Sequence, residues 1–350
     1  SSKCNLSIVV TGMHLIEKYG MSINEIKKSN FNIIGKVHTN LSGSSGAEMS
    51  LALSDQIKGF TNLWAKKKPD VVLLLGDRGE MLAGAIAAIH LNIHIVHIHG
   101  GERSGTIDES IRHSISKLAH YHLVATEESS LRLQKMGEKK EHILVTGAPG
   151  LDDISFKSLK SRNHITKLYD IDKNQEYQLL IFHPVVQHEG ALSSQMENVL
   201  RVVTRECNQV IVFSPNADSG SHEIQKIIDK FKTSNLIKLL INIPRNDYLS
   251  LLAHAEILIG NSSSGIIEAA SLSTPVINIG QRQNLREKNA NVVDSDFNEN
   301  SLTEAIKKAK KLTNKKWVNV YGDGNAGEKI KLFLEDLECK DLDLEKINAY

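Results

Sequence analysis

The sequence predicts an α/β protein made of two Rossmann-like domains with parallel sheets. Three observations lead there. Short, continuous apolar runs recur along the 350 residues, and runs without polar alternation mark strands buried on both faces. Each run is followed by residues at helical spacing, the pattern of βαβ units. A chain of this length is also too long for one ordinary core and suits two domains.

The elements follow in order. The first set of runs is SIVVTGM (7–13), FNIIGKVH (31–38), VVLLLGD (71–77), HIVHIHG (94–100), YHLVATE (121–127) and HILVTGA (142–148). The second is QLLIFHPV (178–185), VIVFSPN (210–216), IKLLIN (237–242), EILIGNS (256–262), PVINIG (275–280) and NVVDSD (291–296). The polar stretch at about 150–177 separates them. Residues 1–157 are therefore expected to form the first domain and 158–350 the second, with the last helix placed to pack back on the first. Helix 51–68 ends in lysines ahead of Pro69, which suits the negative end of a helix dipole and a stop. In 129–141, Ser129 or Ser130 can cap a helix and Gly137 can end it. The basic segment 304–312 reads as a solvated helix face. Ligands in such folds lie beyond the C-terminal strand ends, so a cleft between facing domains is expected.

Composition excludes several classes. Lys+Arg (42) and Asp+Glu (41) leave a net charge of +1, without the basic excess of nucleic-acid or membrane-surface proteins. No apolar run reaches the roughly 18 residues of a membrane span, and the start SSKCN lacks the features of a signal peptide. Three cysteines, Cys4, Cys207 and Cys339, are far apart and lack metal-type spacing. A reducing cytoplasm is the expectation. Cys207 reads as a small hydrophobe on a helix.

Chemistry concentrates after the strands. EILIGNSSSGIIEAASLSTPVINIG (256–280) is strand, Ser/Gly turn, helix, strand. Backbone N–H groups and hydroxyls converge there as an anion site suited to a diphosphate, with Ser262, Ser263, Ser264 and Gly265 as contacts. Glu268 can accept two ribose hydroxyls, or serve as a dipole-complementing residue of a capped helix. Asp77 ends its strand. Thr106 or Asp108 can cap the helix in HIHGGERSGTIDESIRH (97–113), and Arg112 lies one turn from Asp108, at ion-pair spacing. His97 and His99 share a strand face, but the ligand set is incomplete and no metal is expected. His90, His94, His120 and His122 read as structural. Asn216, Asp218, Ser219 and Ser221 can bind hydroxyls or form an Asx turn. Arg282 and Arg286 can bind phosphate.

NSSSGIIEAASLSTPVINIGQRQ and YGDGNA (321–326) resemble the uridine-nucleotide half of the UDP-N-acetylglucosamine 2-epimerases. GDR (76–78), GGERSGTIDESIRH (100–113), FHPV (182–185) and SPNADSGS (214–221) match the same family in the same order, over about residues 5–335. The resemblance is to the hydrolysing branch, which opens sialic-acid synthesis. It implies a glycosyltransferase-B-like fold, no cofactor, and a homodimer or homotetramer. It implies conversion of UDP-N-acetylglucosamine to UDP and N-acetylmannosamine through a 2-acetamidoglucal. Asp77 and Asp108 are then catalytic, with Arg78 placed to orient Asp77 and Arg112 on the substrate side. His183 lies near the diphosphate. His99 stands where many relatives have a catalytic glutamate, and Glu102 is the nearest remaining carboxylate. Alternatives of the same resemblance are a UDP-2,4-diacetamido sugar as substrate, a non-hydrolysing 2-epimerase, and a catalytically impaired UDP-sugar binder. Relatives carry an earlier strand–helix unit with a turn like GTRAEY. No such turn precedes SIVVT, and without that unit the N-terminal sheet is expected to split.

Overall fold

The computed structural model describes residues 3–17, 21–39, 46–104, 107–154, 159–184, 192–215, 220–231, 234–241, 243–337 and 344–350. Each of the twelve apolar runs forms one strand. The chain divides into two compact units. One comprises Ser1–Arg103, Ile107–Ala148 and Asn325–Tyr350, the other Ser104–Thr106 and Pro149–Gly324.

The first unit runs β1 (Ser7–Thr11), α1 (Ile23–Lys28), β2 (Asn32–Val37), α2 (Gly46–Lys66), β3 (Val71–Leu75), α3 (Gly79–His90), β4 (His94–Ile98), α4 (Ile107–Leu118), β5 (Tyr121–Val124), α5 (Glu127–Lys135) and β6 (Ile143–Val145). Its strands form two parallel sheets, β1-β2 and β3-β4-β5-β6. Among the described residues, β1 pairs only with β2, and β3 only with β4. One core nevertheless spans both sheets. Val37 packs in a cluster with Phe60 and Trp64 of α2, Leu74 of β3 and the alanines of α3. Those alanines, at 83, 85, 87 and 88, are buried, and their small side chains let the helix lie close to its neighbours. The cap of α5 is Thr126, whose Oγ1 accepts from the Ser129 N–H at 3.2 Å. This corrects the expected Ser129 or Ser130, which sit buried in the first turn. Gly137, at φ +87°, ends that helical segment as expected.

The second unit runs α6 (Arg162–Leu168), β7 (Gln178–Ile181), α7 (Leu192–Glu206), β8 (Val210–Phe213), α8 (Ser221–Phe231), β9 (Ile237–Leu240), α9 (Arg245–His254), β10 (Ile257–Gly260), α10 (Ser263–Ile267), β11 (Val276–Ile279), β12 (Val292–Ser295) and α11 (Glu299–Lys310). The sheet order is β12-β11-β10-β7-β8-β9, with every pairing parallel. The chain winds outward from β7 through β8 and β9, then returns to β7's other edge as β10. Ligands of doubly wound sheets bind beyond the strand C-termini at that reversal. Separate apolar clusters cover the two faces. Cys207 lies in one of them, and burial pushes its thiol up to about 12, so it packs as a small hydrophobe.

The last helix, α12 (Ala326–Asp336), belongs to the first unit. Ile330 joins Val96, Ile98 and Leu123 in a cluster, and Phe333 meets Tyr121 edge-on at 5.6 Å. Among the described residues no helix is long and apolar enough to cross a membrane.

Candidate active site

In the first unit the candidate residues gather where β3 and β4 end. The buried face of α4 carries Arg112, Ile115 and Ser116, spaced three and four apart as helical geometry requires. Arg112 is 1% exposed. Its Nη2 donates to Asp77, and its Nη1 donates to the Glu102 carbonyl at 2.8 Å. One guanidinium thus ties the residue after β3 to the loop after β4, a task suited to its rigid fork of donors. The guanidinium on Asp77 is that of Arg112; Arg78 reaches Glu80 at 3.8 Å. Asp108 lies in the first turn of α4, with Glu109.

His97 works as a strut. It is fully buried, and that burial pulls its pKa down to about 3, so the ring is neutral near pH 7 and has one N–H. The Gly76 carbonyl, 2.8 Å from Nε2, can only accept. Nε2 therefore donates, and Nδ1 accepts from the Ser116 hydroxyl at 3.0 Å. The backbone just before Asp77 is fixed by this chain.

His99 has φ +64°, a left-handed conformation costly for a side chain with a Cβ and concentrated at functional sites. Its Nδ1 bonds Glu102 Oε1, and that carboxylate is buried. Gly101, at φ +78°, completes the turn. A Cβ there would stand 2.5 Å from the Ser129 carbonyl. The first unit therefore brings together Asp77, His99, Glu102 and Arg112. Among the described residues, no group of three or more His, Cys, Asp or Glu is placed to hold a metal ion.

In the second unit the candidate residues gather at the β7/β10 reversal. His183 follows β7 and Asn261 follows β10. Asn261 Oδ1 accepts from the His183 N–H at 2.7 Å, and its Nδ2 donates to the His183 carbonyl at 2.8 Å. The Asn261 carbonyl accepts from Arg282 at 3.0 Å and Gln283 at 3.1 Å. Ser262 caps α10 through its hydroxyl, which accepts from the Ser264 N–H at 3.3 Å. Ser263 opens that five-residue helix.

The chain belongs to the UDP-N-acetylglucosamine 2-epimerase family: that family's model matches residues 1–335. A relative from Legionella pneumophila, named UDP-N,N'-diacetylbacillosamine 2-epimerase (hydrolyzing), is 44% identical over 350 residues, covering 100% of this chain and 93% of the relative. A UDP-N-acetylglucosamine 2-epimerase from Neisseria meningitidis serogroup B is 33% identical over 332 residues, covering 94% and 86%. The fold matches the crystal structure of Methanocaldococcus jannaschii UDP-GlcNAc 2-epimerase in complex with UDP-GlcNAc and UDP. That match has a TM-score of 0.73 at 21% identity and covers 94% and 98% of the two chains.

Two residues of this epimerase-family chain also have partners within the protein. Glu268 is buried, and both of its oxygens are bound within the protein. Arg245 donates to Oε1 at 2.8 Å, and the Ser264 hydroxyl to Oε2 at 2.6 Å. A buried carboxylate needs such partners, and each of its oxygens keeps a second lone pair for a further donor. Gly265 sits against β11, where a Cβ would lie 2.9 Å from Val276 Cγ1; its bare Cα serves helix–strand packing. Asn216 and Ser219 lie outside the described residues, as do Thr106 and Asp218. Sequence reasoning did not single out Asn261, Gln283 or Arg245. The available signal for Asn261 was its place directly after a strand in a turn-rich stretch.

Proposed function

We propose that this chain is a hydrolysing 2-epimerase acting on a UDP-linked 2,4-diacetamido sugar. The observation that carries the substrate is the 44% identity, along the whole chain, to the Legionella relative with that activity in its name. A second relative, from Campylobacter jejuni, named GDP/UDP-N,N'-diacetylbacillosamine 2-epimerase (hydrolyzing), is 33% identical over 308 residues. Together they favour this substrate over the sialic-acid reading drawn from motifs alone.

The reaction needs a base for the proton on carbon two, an acid, and donors for the departing diphosphate. Removal of that proton forms the C1–C2 double bond as the anomeric C–O electrons leave with UDP. Water then adds its oxygen to C1, and a proton returns to the opposite face of C2. The products are UDP and a free sugar inverted at C2. Asp77, with Arg112 beside it, and the His99–Glu102 pair are the two acid–base candidates, and Asp108 supplies a further carboxylate. In this reading Arg282, His183, Ser262 and Ser263 serve the diphosphate.

The decisive assay offers the chain each UDP-sugar separately in D2O, with mass spectrometry of the products. Free UDP and a singly deuterated diacetamido sugar are expected. Turnover of UDP-N-acetylglucosamine alone would favour the second reading, supported by the Neisseria relative. A C2-inverted sugar still attached to UDP would sink hydrolysis.

A further inference from the structure

The described end of the chain, residues 344–350, is held within the first unit by an ion network. Lys346 Nζ lies 2.9 Å from the Ser116 carbonyl, 2.5 Å from the Ala119 carbonyl and 2.7 Å from Glu138 Oε2. An ammonium has three N–H donors, and each finds an acceptor. Two of these acceptors are carbonyls at the C-terminal end of α4, where helix-end partial charge favours a cation. Glu138 also takes Lys117 at 2.8 Å and His122 at 3.0 Å. Lys117 in turn donates to Asn348 at 2.5 Å, and the Ala349 N–H donates to the Gly137 carbonyl at 2.8 Å. The last residues are therefore stitched to α4 and to the turn after α5 at several points.

We propose that Lys346 is a positioning residue: by clamping the C-terminal turn of α4, it sets where Arg112 holds Asp77. The route is short and runs through the buried Ser116 and His97. Ser116, whose carbonyl binds Lys346, also holds His97 through its hydroxyl, and His97 holds the Gly76 carbonyl next to Asp77. Arg112 is one turn before Ser116 on the same buried face. Sliding a helix by one residue is a 1.5 Å translation, enough to separate Arg112 from Asp77 or from the Glu102 carbonyl. Three acceptors on one half-buried cation resist that slide.

The inference rests on the reading of Asp77 as part of the reacting site, so its test has one arm that does not use turnover. Amide exchange followed by mass spectrometry compares the full chain with Lys346→Met. Faster exchange is expected at 107–112, the end of α4 away from the substitution. On the diacetamido substrate, kcat should fall about 10- to 100-fold, the scale of a misplaced reacting group, with KM within about twofold. Lys346→Arg should restore most of the loss. Unchanged exchange at 107–112, or a lowered melting temperature with wild-type kcat, would overturn the role. Should Lys346→Met not fold, Asn348→Leu, which removes only the bond from Lys117, must show the same pattern more weakly; a wild-type pattern there overturns the proposal. A wild-type chain without turnover refutes the proposed function and leaves the exchange arm to judge the clamp.

Discussion

Arg112 and Asp77 are 35 positions apart in sequence and form an ion pair whose guanidinium is 1% exposed. The same guanidinium holds the backbone of Glu102. Replacing Arg112 by Met should therefore act twice. It leaves the half-buried Asp77 without its cation and the Glu102 carbonyl without its donor, a cost of about 1–3 kcal/mol for the buried acceptor. A lower denaturation midpoint is expected. Arg112→Lys keeps the charge but cannot span both acceptors with a planar fork, so it should recover part of the stability and little of kcat. Equal kcat for Lys and Arg would show that charge alone matters.

His99 separates backbone strain from chemistry. Its φ of +64° suits glycine better than any residue with a Cβ. His99→Gly should thus be more stable than His99→Ala by about 1 kcal/mol, read from paired urea melts. Both should lose turnover if the His99–Glu102 pair moves a proton. Full activity in both would make His99 a bystander and leave Asp77 and Asp108 to do the work.

Asn261→Ala removes the side chain that bonds both the N–H and the carbonyl of His183. Each backbone group left unpaired while buried costs about 1–3 kcal/mol. The variant should be destabilised by about 2 kcal/mol or more on that scale, with weaker UDP binding by calorimetry. Unchanged UDP affinity would place the nucleotide away from the β7/β10 reversal.

Acid stability follows from histidines held neutral. Burial pulls His97 down to about 3 and His120 to about 4, from an ordinary 6.5. Their contribution is complete above 6.5. As pH falls, the unfolded chain takes up protons that the folded chain refuses, so stability declines until about pH 4 for His120 and about pH 3 for His97. Glu138 adds to the same trend at lower pH: hydrogen bonds from His122, Lys117 and Lys346 overcome the opposing effect of burial and hold it at about 2. Each fully titrating group contributes a slope of about 1.4 kcal/mol per pH unit. The urea midpoint should fall between pH 6.5 and 4, and His97→Asn should flatten that fall. A flat wild-type profile would refute the neutral-strut account.

The strands were legible because a parallel strand buried on both faces leaves a continuous apolar run, as in VVLLL or QLLI. Single residues at their ends, such as Asp77 and His183, could be named from that position together with the family resemblance. Their partners could not. Spacing rules offered Arg112 a neighbour four residues away on its own helix; they could not offer Asp77, brought close only by packing α4 against the sheet. The Thr126 cap was hidden by two serines three and four residues later, which are equally good capping types. Asn261's partner was hidden for a related reason: its bonds go to backbone atoms of His183, which carry no side-chain signature.

The outer edges of β1 and β3 remain, SIVVT and VVLLL, unpaired among the described residues and without a charged side chain between them. Exposed leucines lie beside them, Leu6 at 54% and Leu75 at 52%. Such edges are adhesive: each offers a row of amide donors and carbonyl acceptors that another chain can zip onto. Handled at high concentration, this protein should clump through these two strands, and a lysine at the exposed Leu6 or Leu75 should keep it dispersed in light scattering.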